Sequence, residues 1–183
     1  MPKGPDISNA ALSVSEIFFS LQGEASRTGL PCAFVRLAGC NLDCRWCDTT
    51  YARDGGGDEM TTDEIAARLG GFPCRRVEVT GGEPLCQAGS IDLMRRLCDD
   101  GWEVLLETNG SLDISPVDPR VVRIVDFKCP SSGQDAANLW DNVGRLRATD
   151  EVKFVLADRG DYDFAVAAVR GRGILEKCSV IFS

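Results

Sequence analysis

Short apolar runs recur along the chain and alternate with amphipathic stretches. AFVRLA (33–38), RVEVT (76–80), WEVLLET (102–108), VVRIVDF (121–127), EVKFVLA (151–157) and KCSVIFS (177–183) are rich in β-branched and aromatic residues and predict about six strands. TTDEIAARL opens with Thr61 and Glu64 at capping-box spacing, which marks a helix start. IDLMRRLCDDG (91–101) sets apolar residues at helical spacing and stops at Gly101. Further helices are expected near 137–147 and 161–170. SEIFFSLQGE (15–24) reads as a strand and loop feeding the core from one side, DGGGDEM (54–60) as a flexible loop and SPVDPR (115–120) as a breaker.

Strands alternating with helices imply crossover connections and a mostly parallel sheet, an α/β fold. About six strands are too few for a closed (β/α)₈ barrel, which takes about 250 residues. The expectation is a single domain over residues 1–183, a partial, open β/α barrel. An N-terminal strand-loop extension over about 1–30, or a partner subunit, would cover its side opening. No internal repeat or second-domain boundary interrupts the pattern. In such sheets ligand sites gather at the carboxyl ends of the strands, so the loops after 38, 80, 108 and 127 should face one another.

Composition narrows the chemistry. The 183 residues are 44% hydrophobic, enough for one proper core. No run approaches the roughly 20 apolar residues of a membrane span, and MPKGPDISNA lacks a signal peptide's apolar stretch. A cytoplasmic protein with no membrane partner is expected. A net charge of −8 would repel a phosphate backbone, which argues against nucleic acid. Nine cysteines, an odd number at irregular spacing, do not suit a disulfide framework. The chain has no histidine, so the commonest general base and zinc ligand are both missing.

Cys40, Cys44 and Cys47 crowd one polar loop, GCNLDCRWCDTT, and clustered thiolates are a soft-metal signature. Structural zinc wants four ligands. The nearest other cysteine, Cys32, lies before the strand, whose rise of about 20 Å would carry it to the far end of the sheet. Three thiolates instead suit a four-iron cluster with one open iron, the arrangement a catalytic cluster needs. Cys74, Cys86, Cys98 and Cys178 read as small core residues.

The C-x3-C-x2-C spacing, with Trp46 before the last cysteine, resembles the signature of the radical S-adenosylmethionine superfamily, and GGEP (81–84) resembles its motif for the methionine amino group. More narrowly, EIFFSLQGE (16–24), FVRLAGCNLDCRWCDT (34–49), VTGGEP (79–84) and ETNGS (107–111) together are similar to the 7-carboxy-7-deazaguanine synthase family, over about residues 15 to 133. That resemblance implies a carbon–nitrogen lyase of queuosine and 7-deazapurine biosynthesis. Its reaction converts 6-carboxy-5,6,7,8-tetrahydropterin to 7-carboxy-7-deazaguanine with loss of ammonia, and a 5′-deoxyadenosyl radical initiates it. The implied cofactors are a [4Fe–4S] cluster, S-adenosylmethionine and Mg²⁺. The implied partners are an electron donor such as flavodoxin or ferredoxin and a second copy in a homodimer.

Carried over residue by residue, the resemblance makes Cys40, Cys44 and Cys47 the cluster ligands and Thr49 a Mg²⁺ ligand. Leu21, Gln22, Gly23, Arg36 and Thr80 become substrate contacts, with the planar fork of Arg36 suited to the pterin carboxylate. Trp46, Asp48, Gly82, Glu83, Glu107, Thr108, Asn109, Asp126, Phe127 and Lys128 become cofactor contacts. No residue is assigned as an acid or base. Many family members continue beyond the last strand, whereas this sequence ends at Ser183. Two other readings share parts of the pattern. An activase that abstracts hydrogen from a partner protein's glycine would need the cysteines and GGEP but not LQG, Arg36 and CDT in this arrangement. An iron–sulfur carrier or zinc-binding module would need only a filled metal site.

Overall fold

The structure, a computed structural model, describes residues 11–183; the first ten residues of the expected N-terminal extension lie outside them. Every expected strand forms, the one in 15–24 included, and all join one open sheet with one more. Along the chain these are β1 (Leu12–Leu21), β2 (Pro31–Leu37), β3 (Asp58–Met60), β4 (Arg76–Gly81), β5 (Glu103–Thr108), β6 (Val122–Asp126), β7 (Glu151–Phe154) and β8 (Ser179–Phe182). In space they run β3-β1-β2-β4-β5-β6-β7-β8. Neighbours from β2 to β8 are parallel, and β1 is antiparallel to both of its own. The helices are α1 (Thr50–Arg53), α2 (Thr62–Leu69), α3 (Gly89–Asp99) and α4 (Arg159–Gly171). The capping box expected at Thr61 and Glu64 opens α2, with both reciprocal bonds formed.

Period-two alternation sorts the strand side chains into two sets. One set is apolar and lies under the helices. Val77 and Val79 of β4, with Val104 and Leu106 of β5, pack against Ile65 and Leu69 of α2 and Leu93, Met94 and Leu97 of α3. A second cluster gathers Val125, Phe127, Val152 and Phe154 with Ala165 and Val169 of α4. The other set faces the barrel interior and is largely polar: Arg36, Glu78, Thr80, Glu107, Asp126 and Lys153 all line one cavity.

Two elements differ from expectation. The 54–60 segment is not wholly loop, because Asp58–Met60 pairs with Val14 to Leu12 of β1. Gly57 permits this pairing, since a Cβ there would meet the Val14 backbone. Residues 137–147 form no α-helix; the chain makes two short 3₁₀ turns, Asp135–Ala137 and Trp140–Arg145. Two asparagines explain the break. Asn138 exchanges hydrogen bonds with the Lys128 backbone, and Asn142 donates to the Gly110 and Leu112 carbonyls while accepting from Ile114 N. Side chains engaged with distant backbone in this way compete with a regular helix.

The loop joining β1 to β2 crosses to the amino ends of β5 and β7. Ser26 N donates to Glu151 at the start of β7 (3.0 Å), and Arg27 pairs with Glu151 at 2.7 Å and Glu103 at 3.4 Å. That loop forms the floor of the cavity.

Candidate active site

The cysteine loop is positioned by the glycine pair that follows β4. Gly82 N donates to Leu37 O (3.1 Å) and Glu83 N to Gly39 O (2.8 Å), which stitches the two loops together. Gly81 has φ +143°, a conformation side chains rarely adopt. A Cβ on Gly81 would run into the Leu37 backbone, and one on Gly82 into the Gly39 carbonyl and Cys40 Cβ. The other loops brace the same structure. Asn109 Nδ2 donates to Asn41 Oδ1 (3.1 Å) and approaches Cys40 Sγ (3.7 Å). Trp46 Nε1 donates to Ser131 Oγ (3.3 Å), and Lys128 Nζ stands 5.6 Å from the Trp46 ring centre.

Most of the expected site residues meet here. Cys40, Cys44 and Cys47 line the cavity together with Trp46, Asp48, Thr49 and Gly82. Glu107, Thr108, Asn109, Asp126 and Lys128 line it from the next two loops, and Leu21, Gln22, Gly23, Arg36 and Thr80 from below. Two expected residues do not. The Phe127 side chain alternates outward into the core, stacked 4.7 Å from Trp140. Glu83 is fully buried outside the cavity lining, its carboxylate taken by Leu85 N (3.0 Å), Thr108 Oγ1 (2.9 Å) and Asn109 N (2.7 Å). It clamps the β4 and β5 loops together. Cys32 is buried at the opposite end of β2, away from Cys40, Cys44 and Cys47. Of the cysteines expected in the core, Cys178 is buried in the second cluster and Cys74 and Cys98 pack against the first, but Cys86 is exposed.

The donor set fits a metal–sulfur cluster. Burial pushes the Cys40 and Cys44 thiols up, so their thiolates need a cation's charge. Among the described residues, no three Cys, Asp or Glu groups converge tightly enough for a single ion; a cuboidal cluster, which holds its thiolates at separate corners, requires wider spacing. A second observation suits a bound cofactor. Asp126 is buried, lines the cavity and leaves Oδ1 without a hydrogen-bond partner.

The lower cavity holds charges that the motifs did not indicate. Glu24, Glu78 and Lys153 line it. Lys153 Nζ meets Glu24 at 2.6 Å, Glu107 at 2.5 Å and Asp126 at 3.8 Å. Burial alone would lower its pKa, but Glu107 and Asp126 outweigh burial and raise it. Burial would likewise raise Glu107, yet Lys153 holds it below the usual carboxylate range. Asp126 goes up because burial prevails over Lys128, which pairs with it at 2.8 Å, and over Lys153. Arg36 donates from Nε to Glu16 (2.7 Å), which also accepts from Tyr51 OH (2.7 Å). The available sequence signal was a charge flanked by β-branched or aromatic residues in a central strand, as in VEV and VKF.

A parallel open barrel with three cysteines after its first parallel strand and a glycine pair after the next defines a radical S-adenosylmethionine protein, and the Radical SAM superfamily model matches residues 35–126. The 7-carboxy-7-deazaguanine synthase of Chlorobaculum tepidum is 52% identical over 176 residues, covering 94% of this chain and 80% of that protein. That of Koribacter versatilis is 47% identical, covering 94% and 77%. The crystal structure of QueE from Escherichia coli superposes with a TM-score of 0.73 at 22% identity, over 94% of each chain, and so shares the fold. The chain belongs to the 7-carboxy-7-deazaguanine synthase family.

Proposed function

We propose that the chain contracts the ring of 6-carboxy-5,6,7,8-tetrahydropterin to 7-carboxy-7-deazaguanine with loss of ammonia, a lyase step of queuosine and 7-deazapurine biosynthesis. The observation that carries this reading is a single cavity of about 490 Å³ lined both by the three cysteines and by Arg36, Gln22 and Thr80. Its volume is in the range of small-molecule sites. Family membership at 52% identity supports the same substrate.

In this reading Cys40, Cys44 and Cys47 hold a [4Fe–4S] cluster. Gly82, Glu107, Thr108, Asn109, Asp126 and Lys128, with Trp46 and Asp48, surround S-adenosylmethionine. When bound, these groups supply the 5′-deoxyadenosyl radical that initiates the rearrangement. The chain's own part is binding, orientation and exclusion of water. Arg36, aimed by Glu16, receives the substrate carboxylate through its fork. Gln22 and Thr80 hold the ring from the floor and from β4. The orphaned Asp126 oxygen accepts from the cofactor. Thr49, beside Asp48 (3.4 Å), offers its hydroxyl to Mg²⁺, an ion that takes its remaining oxygens from water or substrate. Glu83 and Phe127 act behind the site, as clamp and as packing. The protein works in the cytoplasm as a homodimer and draws electrons from a flavodoxin or ferredoxin.

The test is anaerobic. Cluster-reconstituted protein is given adenosylmethionine, reductant, Mg²⁺ and 6-carboxytetrahydropterin, and products are followed by mass spectrometry. 7-Carboxy-7-deazaguanine is expected. Formation of 5′-deoxyadenosine alone would overturn the substrate, and formation of neither with a full cluster would overturn the radical chemistry.

A further inference from the structure

Beneath the proposed pterin site the cavity holds a connected set of hydrogen bonds and ion pairs. Gln22 Nε2 donates to Glu78 Oε2, while Gln22 Oε1 accepts from Gly23 N (2.8 Å) and Glu24 N (3.2 Å). The Glu24 carboxylate meets Lys153 Nζ (2.6 Å), which also meets Glu107 (2.5 Å). Glu107 lines the same cavity from the neighbouring strand β5 and interacts electrostatically with Glu78. Glu78 is 3% exposed and, among the described residues, has no cation of its own at ion-pair distance. Two interacting carboxyl groups do not both ionise readily, and Lys153 secures the charge on Glu107. The proton therefore stays on Glu78, and Glu107 keeps its charge.

We infer that Glu78 is a positioning residue of the substrate cavity: as a neutral carboxylic acid it donates to Glu107, accepts from Gln22, and so latches the 22–24 segment as the floor of the pterin site. This rests on the pterin reading above. The groups facing Glu78 are Gln22 from the floor loop, Glu107 from β5, Lys153 from β7 and Cys32 from β2. Cys32 stays neutral, its thiol pushed up to about 12, first by burial. Burial and then Glu107 push the Glu78 carboxyl up to about 8, against Gln22 and Lys153. Ionisation above that point sets two like charges side by side and removes that proton. The floor then unlatches.

Glutamine reproduces the neutral acid, since it can donate to Glu107 and accept from Gln22, and it does not titrate. The experiment compares wild type with Glu78→Gln, both cluster-reconstituted, by fluorescence titration with 6-carboxypterin between pH 7 and pH 9. Ionisation of the ligand is common to both proteins and cancels in the ratio of dissociation constants. If only the neutral acid holds the floor, that ratio, wild type over variant, rises about tenfold across the interval. A ligand-free readout runs alongside: hydrogen exchange of the Gly23 and Glu24 amides, whose ratio between the two proteins should rise over the same interval. Flat ratios in exchange overturn the latch. A rising exchange ratio with no 6-carboxypterin binding to either protein supports the latch and sinks the pterin reading instead.

Discussion

Arg36 shows how much one inward side chain depends on its neighbours. Its backbone place in β2 points it into the cavity, and Glu16 takes Nε, fixing the plane of the guanidinium. Replacing it by lysine keeps the charge and loses the fork. Charge-assisted hydrogen bonds contribute about 1.5–3 kcal/mol each, so Arg36→Lys should raise KM for the pterin by roughly tenfold or more, with cluster content unchanged. Steady-state kinetics and iron analysis check both halves. The cysteines, the glycine pair and Arg36 were legible in the sequence because their signal is local spacing, or a charge within a motif. Glu78, Glu24 and Lys153 were not, because their meaning comes from strands far apart in the chain that converge on one interior. Glu83 and Phe127 stand behind the cavity lining for reasons that a local motif does not carry. A carboxylate next to a cofactor motif can be consumed by loop backbone, and a residue adjacent to an inward Asp126 must face outward.

At the scale of elements, the six parallel strands were legible from β-branched runs, and α2 from its capping box. The 137–147 helix failed because Asn138 and Asn142 bond to backbone outside their own segment, information no local window contains. β3 was missed because three residues give little periodicity and the glycines before them suggest a loop. The glycines now have distinct duties that substitution can separate. Gly82→Ala drives a Cβ into the Gly39 carbonyl and Cys40, and should displace the cysteine loop and lower iron loading while the far-ultraviolet spectrum stays native. Gly57→Val meets the Val14 backbone and should release β3 at a stability loss of about 1–3 kcal/mol with iron loading kept. Iron quantitation and urea unfolding on both variants distinguish loop from edge.

Across the whole molecule, the two apolar clusters meet along a sheet whose β6–β7 junction contains a buried ion pair. The Arg123 and Asp150 side chains are 4% and 0% exposed, and Asp150 also accepts from Arg123 N (3.1 Å) and Arg147 N (2.8 Å). Arg123 further donates to the Ile114 and Arg145 carbonyls. Burial would raise the Asp150 pKa, but Arg123 and the backbone donors hold it below the usual range. Its contribution is therefore present above the unfolded carboxyl's pKa and lost as pH falls through the lower, folded one. Asp150→Ala leaves the guanidinium buried and unpaired and should cost about 3–5 kcal/mol, measured by chemical denaturation at neutral pH. An open barrel was legible in the strand count, but not the way its floor is fastened to β7, since that rests on Ser26, Arg27 and Glu151.

Those floor contacts also bear on how the chain is built. Ser26 and Arg27 lie 125 and 124 positions from Glu151, and Glu24 lies 129 from Lys153. Closing a longer loop costs more entropy before any contact repays it. The cysteine loop's partners are nearer in sequence: Asn109 is 69 positions from Cys40, and Glu83 is 26 from Asn109. During synthesis from the amino terminus, β7 emerges well after the strands that carry those partners. The cysteine loop can thus fold against its braces on a nascent chain whose floor still lacks its contacts to β7, and those contacts form only when the last third of the sheet arrives.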